Sequence, residues 1–340
     1  MPDNIVVGRD TNRVMLHSVV PLAIPFAIGI APSDICNFKC IYCNQATERG
    51  IVDARIISWN EFLTIATQIQ NLIDKAGSRL KIIRFIGNGE PLVNKMLPDM
   101  IKYVSDRNMA DRYEVTTNGS LLTEEMSDRL IESGLTRLLI SVQGVTASKY
   151  KEICGYNIDM EKFVEQIRYF FNKSRGRCRV VIKTVNVSVQ DENDRRWFYE
   201  MFENICDDIN VENILETSDG VDFSSFMPES ERGKSRYNME VGERICCDTM
   251  FMYMNIHSNG DVDTCGCIYP PLFIGNIYKT PLVNLWNGEK HKEYMIKHLT
   301  GRRCEIGVCA KCQSILFQSG FKEDNLDPYL DEVLDRVKKL

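Results

Sequence analysis

The sequence predicts an α/β chain built on a parallel sheet, followed by a small cysteine-rich unit. Three observations predict it. Between residues 26 and 216, six β-rich runs alternate with helical runs, the pattern of strands joined by helical crossovers. Beyond residue 245 that alternation stops, and short β segments around a hairpin turn take over. The 13 cysteines form two groups, three at 36–43 and seven between 246 and 312, with only Cys154, Cys178 and Cys206 between them.

The elements follow in order. Residues 1–24 are a polar lead-in ending in an apolar stretch, and Phe26 to Ile30 reads as a short buried strand. Trp59 to Ala76 sets Phe62, Ile65, Ile69 and Ile73 at helical spacing. Leu80 to Ile86 is a strand, Asn94 to Asn108 a helix, and Arg112 to Thr117 a strand. Thr123 to Gly134 is a helix with Thr123 as N-cap and the glycine as its stop. Thr136 to Val142 is a strand, and helices follow near 147–153 and 159–173. Cys178 to Val187 is β-rich, Glu192 to Cys206 helical, and Val211 to Glu216 the last strand. Residues 217–245 carry turn chemistry and read as a linker. Met250 to Ile256 and Val262 to Cys265 flank the turn Ser258-Asn259-Gly260-Asp261, and Leu282 to Leu299 is helical. This gives a lead-in at 1–24, an α/β unit at 25–216, a linker at 217–245, a cysteine-rich unit at 246–320 and a closing helix at 321–340, with Asp327 to Leu340 amphipathic.

Composition narrows the function. An apolar fraction of 44% allows a sizeable core, while a net charge of −6 argues against a broad nucleic-acid surface. The apolar stretch Val19 to Ile30 is interrupted by Pro21, Pro25 and Gly29 and is too short to span a bilayer. No signal peptide is visible, so the expected place is the cytoplasm, with neither a membrane nor a nucleic-acid partner. Cysteines this numerous in a chain this long, set in two groups, read as two metal sites rather than a disulfide framework.

Cys36, Cys40 and Cys43 stand with three and then two residues between them, and the aromatic Tyr42 precedes the last. Three thiolates on one loop leave a fourth iron of a four-iron cluster open, and an open corner is where a molecule can be activated. A zinc site completed from elsewhere and three unrelated cysteines are the alternatives. At these residues the sequence resembles the radical SAM superfamily. The resemblance implies an open, partial (β/α)6 TIM-like barrel and a [4Fe–4S] cluster on these cysteines. S-adenosylmethionine (SAM) would chelate the open iron and, on reductive cleavage, yield a radical that abstracts hydrogen from substrate.

Gly87-Asn88-Gly89-Glu90-Pro91 ends the second strand. Glycines there allow close backbone approach to a ligand, and the segment resembles the superfamily motif that lines the SAM amino group, with Glu90 as acceptor. Thr117 and Asn118 end the third strand, and Ser141 and Gln143 the fourth. Both segments resemble those that reach SAM, although such residues also cap turns. Lys183 on the fifth strand could reach inward. Glu216, Asp219 and Asp222 are possible substrate bases, and Cys154 a possible hydrogen donor. The four histidines show no paired spacing.

Cys247, Cys265, Cys309 and Cys312 make a closed set of four that suits zinc or iron–sulfur. Asn259 to Cys265, Gly275-Asn276-Ile277 and Leu285-Trp286-Asn287 resemble the SPASM region of radical SAM enzymes, in its shortened one-cluster form, the twitch domain. That implies one auxiliary [4Fe–4S] cluster, with Cys246, Cys267 and Cys304 as possible substitute ligands. The expected function is hydrogen abstraction from a small polar substrate of sugar or aminocyclitol type, oxidising an alcohol carbon with the auxiliary cluster as electron acceptor and a flavodoxin or ferredoxin-type reductant. About 25 residues before the first strand favour a small molecule over a peptide. Epimerisation, peptide modification and a SAM-binding redox regulator without turnover are the alternatives.

Overall fold

Six parallel strands run through the first two-thirds of the chain, β1 (Ala27–Ile30), β2 (Leu80–Phe85), β3 (Ala110–Thr117), β4 (Arg137–Ser141), β5 (Arg179–Val185) and β6 (Asp208–Glu212). The computed structural model describes residues 13–44, 54–218, 220–227, 229, 235–237, 244–265, 271–312 and 321–340. The crossovers carry α1 (Trp59–Ala76), α2 (Leu97–Asp106), α3 (Glu124–Glu132), α4 (Ala147–Cys154), α5 (Met160–Ser174) and α6 (Glu192–Phe202). Strands β1 to β6 lie side by side in chain order. Right-handed crossovers without a reversal of order put every helix on one face, the winding of a barrel rather than of a doubly wound sheet.

Local chemistry explains the helix bounds. Ser58 caps α1 in a capping box with Glu61, and Gly77 ends it at φ 65°. Thr123, Thr146, Asp159 and Asp191 each accept an N-cap hydrogen bond at the starts of α3, α4, α5 and α6. Ile28, Ile30, Ile83, Phe85, Val115, Leu138, Ile140, Val180 and Ile182 are buried in the main core. Strand side chains alternate, so the residues between them occupy the opposite, inner face.

The inner face is polar. Register aligns Arg84 of β2 with Glu114 of β3, and Glu114 with Arg137 of β4. Glu114 is fully buried and bound by Arg84 at 2.8 Å, Arg112 at 2.7 Å and Arg137 at 3.3 Å. Burial alone would push its carboxyl up, but the three guanidiniums outweigh that and hold it below its ordinary value. Ser141, Lys183 and Asn210 share the same face two layers further along, beyond the layer of Thr116, Leu139 and Val181, with Lys183 bound to Glu212 at 3.0 Å.

The C-terminal unit is not a separate sheet. β7 (Tyr253–Ile256) pairs parallel with β1, and β8 (Asp261–Asp263) and β9 (Phe273–Asn276) follow antiparallel, so one sheet of nine strands runs from β6 to β9. The expected turn is present, with Gly260 at φ 84°. A second core packs Phe251, Met295, Leu299, Val333 and Val337 around Leu16 and Val20, so the lead-in belongs to this unit. Arg13 pairs with Asp324, and His17 stacks on Tyr329 with ring centroids 3.5 Å apart.

Three elements differ from expectation. The last barrel strand is Asp208–Glu212, not 211–216, because Arg179 and Lys183 neutralise Asp208 and Glu212 across the sheet while Ile214 leaves to pack with Phe223 and Met227. The helix expected at 282–299 is broken into α7 (Leu282–Trp286) and α8 (Glu289–Leu299), with Gly288 as the cap of α8. After α9 (Gly307–Ala310), the closing helix α10 spans Leu330–Lys338, preceded by a 3-10 turn at Asp327–Tyr329. Part of the expected linker, Phe223 and Met227, packs against Tyr42 over the cysteine loop.

Candidate active site and auxiliary cluster site

The cysteine loop leaves the C-terminal end of β1, and the next three strand ends all bond to it. Glu90 N–H donates to Ile35 O at 2.9 Å, Asn118 Nδ2 to Asn37 Oδ1 at 2.9 Å, and the Tyr42 hydroxyl to Gln143 Oε1. Gln143 Nε2 in turn donates to the carbonyl of Ser141 at 3.0 Å. From behind, Lys39 and Ile41 N–H groups donate to the carbonyls of Cys154 and Ile153. Phe38 is buried between Tyr150 and Tyr156, which pins the loop to α4 and the turn after it.

Glu90 is 3% exposed and accepts from Leu92 N–H at 2.9 Å, Thr117 Oγ1 at 2.5 Å and Asn118 N–H at 2.7 Å. Burial outweighs these donors and raises its pKa. Among the described residues no cationic side chain pairs with it. The glycines flanking Asn88 also have a packing reason. A Cβ on Gly89 would lie 2.4 Å from Ser33 O and 2.6 Å from Ile35 O, and one on Gly87 would lie 2.6 Å from Ala31 Cβ. Both glycines thus admit the chain's own path into the cysteine loop.

Cys154 is 1% exposed, donates to Tyr150 O at 3.0 Å and lies in hydrogen-bond contact with Cys40. Its thiol thus stands against the cysteine loop, buried from solvent. Asp222 is exposed and caps a 3-10 turn through Ser224 N–H at 3.0 Å. Glu216 is half-buried just beyond β6, and Asp219 lies outside the described residues. Lys183 is salt-bridged on the inner face.

Sequence reasoning missed His257. It follows β7, and alternation puts it on the inner face with Tyr253 and Asn255. The same face is confirmed by Gly29, whose Cβ would lie 2.2 Å from Asn255 Oδ1. His257 Nε2 is 2.6 Å from Asp263 Oδ2. Asp263 is fully buried and also accepts from Asn255 Nδ2 at 3.0 Å and from Cys265 N–H at 2.7 Å. Burial pushes the imidazole down, but Asp263, with Asp34 and Asp261 nearby, leaves its pKa above the ordinary value. Residues six apart on a hairpin give no local sequence signal; only the antiparallel register joins them.

At the second site, Cys247, Cys265, Cys309 and Cys312 all line one cavity. Cys246 points instead into the second core, and Cys304 is exposed, so neither lines it. Cys267 lies outside the described residues. His298 and Thr264 line the same cavity. Burial, with Arg303 beside it, pushes His298 down to about 4 and keeps the ring neutral.

A family model described as the radical SAM superfamily matches residues 30–202, and one described as the SPASM iron–sulfur cluster-binding domain matches residues 246–313. The GTP 3′,8-cyclase of Staphylococcus epidermidis RP62A is 34% identical over 147 residues, 42% of this chain and 41% of that protein. This chain thus spans about two-fifths of the length of the curated relatives it matches. BtrN, crystallised with AdoMet and 2-DOIA, superposes with a TM-score of 0.57 at 17% identity, over 88% of this chain and 98% of BtrN. His-tagged anSMEcpe with bound AdoMet gives 0.60 at 15% identity, over 93% and 96%. Identities this low establish the fold alone, an open partial barrel with an added C-terminal unit.

The residues fit the implied groups. Burial raises the thiol of Cys36 to about 11, with Glu90 and Cys43 adding to it, and Cys40 lies above its ordinary value beside them. Three clustered thiolates therefore call for a cationic iron centre, and the buried carboxylate of Glu90 suits an ammonium. Cys247 and Cys309 are likewise raised by burial, Cys309 to about 12. No three His, Cys, Asp or Glu side chains among the described residues converge as ligands of a single ion do. Thiolates of a four-iron cluster each bind a different iron and stand further apart. The cofactors are therefore a SAM-binding [4Fe–4S] cluster, SAM itself and an auxiliary iron–sulfur cluster. With the first family match covering half of its length, the chain belongs to the radical SAM superfamily and carries a SPASM iron–sulfur domain behind its barrel.

Proposed function

We propose that this radical SAM enzyme oxidises an alcohol carbon of a small polar substrate, of sugar or aminocyclitol type, to a carbonyl. Held by Cys36, Cys40 and Cys43, with Glu90 toward the SAM ammonium, the cluster and SAM supply removal of a hydrogen atom from carbon. Completing the oxidation requires loss of a proton from oxygen and of one electron. The observation that carries the reading is the carboxylate of Asp263, which binds His257 on one side and the N–H of Cys265 on the other. A proton acceptor and a ligand of the proposed electron acceptor thus share one anchored carboxylate.

His257 takes the proton. Its Nε2–H donates to Asp263, which leaves Nδ1 as the accepting atom, an assignment made from the hydrogen-bond network. Asp263 orients the ring and stabilises the imidazolium that forms, the role a buried carboxylate plays behind a histidine base. Cys247, Cys265, Cys309 and Cys312 hold the group that takes the electron. Ser141, Lys183 and Asn210 on the inner face offer partners to hydroxyl or amino groups of a polar substrate. A flavodoxin or ferredoxin-type reductant supplies the reducing electron.

The test is turnover of reduced, reconstituted protein with SAM and a panel of sugars and aminocyclitols in deuterated water. The expected result is one carbonyl product per 5′-deoxyadenosine, with no deuterium at the reacting carbon. His257→Gln should still release 5′-deoxyadenosine but form on the order of 100-fold less product, the scale of a lost general base. Deuterium at carbon without net oxidation would make the enzyme an epimerase, and no carbonyl product from any member would remove the alcohol reading.

A further inference from the structure

His298 lies on α8, 1% exposed, against the cavity lined by Cys247, Cys265, Cys309 and Cys312. Its Nδ1 accepts the backbone N–H of Cys247 at 3.2 Å. A neutral imidazole that accepts at Nδ1 carries its proton at Nε2. That Nε2–H is buried and meets no hydrogen-bond partner among the described residues. Thr264, directly before Cys265 and 0% exposed, lines the same cavity, and its hydroxyl is also buried without a partner among the described residues. A buried donor left unsatisfied costs on the order of 1–3 kcal/mol. Two such donors on one four-cysteine cavity therefore point to an acceptor inside it.

We propose that His298 Nε2–H and the Thr264 hydroxyl donate hydrogen bonds to the sulfurs of the auxiliary cluster and thereby raise its reduction potential. The proposal rests on the reading that Cys247, Cys265, Cys309 and Cys312 hold that cluster. Four thiolates outweigh the charge of an iron–sulfide core, so the cluster is anionic and becomes more so on taking an electron. Donors aimed at its sulfurs stabilise the reduced state more than the oxidised one, and hydrogen bonds to sulfur are among the factors that set cluster potentials. Arg303 lines the cavity as well and adds positive charge, while its Nη1 is held by Cys309 O at 3.0 Å. His298 and Thr264 are positioning residues in this scheme: they act through the cluster and not on substrate.

The experiment uses the full chain with Cys36, Cys40 and Cys43 replaced by alanine, so that only the auxiliary cluster remains. Iron and sulfide are assayed after anaerobic reconstitution, and the potential is read by dithionite titration followed by electron paramagnetic resonance. Thr264→Val keeps the shape and removes the donor; Thr264→Ser restores it. His298→Phe removes the ring donor and His298→Gln restores an N–H. Each donor-less variant should lower the reduction equilibrium constant about tenfold, a shift of about 59 mV for one electron, and each restoring variant should recover most of it. Equal potentials in Thr264→Val and the parent, with iron retained, would overturn the proposal, as would an equal drop in Thr264→Ser. If His298→Phe fails to fold, Thr264→Val decides alone. A parent that retains no iron would instead defeat the underlying reading of the four cysteines, and the proposal with it.

Discussion

Glu90 Oε2 accepts the backbone N–H of Asn118 at 2.7 Å, and through that bond the end of the second strand holds the end of the third. Asn118 in turn reaches Asn37 in the cysteine loop. One buried carboxylate therefore organises the strand ends, and in the proposed function the SAM ammonium is its partner. Glu90→Gln should weaken SAM binding to reconstituted protein by about 1.5–3 kcal/mol, the scale of a charge-assisted hydrogen bond. Burial holds the Glu90 carboxyl above its ordinary value, so the acid protonates earlier than usual as pH falls. SAM affinity should then decline on acidification in the wild type and lose that dependence in Glu90→Gln. Equilibrium dialysis across pH reads both, and equal affinities would put Glu90 outside the SAM site.

Replacing Cys36, Cys40 and Cys43 together by alanine should remove one of two clusters. Reconstituted protein should fall from about two to about one [4Fe–4S] per chain and stop making 5′-deoxyadenosine. Iron that stays at the parental level would place the first cluster elsewhere.

Gly89→Ala tests why the strand end is glycine. Its Cβ would strike two backbone carbonyls, at Ser33 and Ile35, and backbone cannot swing aside. The entry to the cysteine loop must shift, at a cost of about 1–3 kcal/mol. Loading of the first cluster should fall while the second stays loaded. Parental iron and parental stability would show that the segment yields freely.

Glu114→Ala should destabilise the fold by about 3–5 kcal/mol, because it leaves three guanidiniums crowded on the inner face with their shared carboxylate gone. Denaturant unfolding of the chain measures this. A loss under about 1 kcal/mol would mean that water relieves the arginines.

What the sequence made legible was local. The cysteine spacing, the capped helices and the Gly260 turn each depend on residues a few places apart. The inner face was not legible, because Glu114 meets Arg84 and Arg137 across 30 and 23 residues through strand register alone. A one-residue slip would have sent all of them outward. The pairing of β7 with β1 was hidden for the same reason: a short run such as Tyr-Met-Asn-Ile reads alike in a separate hairpin and at the edge of a larger sheet. The contact of Cys154 with Cys40 was hidden as well, because α4 brings together two residues far apart in the chain.

The seam between the two parts of the sheet gives a last test. Gly29 on β1 stands opposite Asn255 on β7 in register, and a Cβ there would come within 2.2 Å of Asn255 Oδ1. The atom in the way belongs to a side chain, so the structure can respond by turning Asn255 aside. That turn would break the bond from Asn255 Nδ2 to Asp263, a hydrogen bond to a buried charged group worth about 1.5–3 kcal/mol. Asn255→Ala would lose the same bond by deletion and would at the same time make room for the new methyl. The two substitutions therefore act on one interaction and should not add. Gly29→Ala and Asn255→Ala should each destabilise by about 1.5–3 kcal/mol, and the double variant by little more than either alone. Denaturant unfolding of all four proteins closes the cycle. Additive losses would mean that Gly29 is needed for the backbone of β1 itself, and that Asn255 is not what the glycine makes room for.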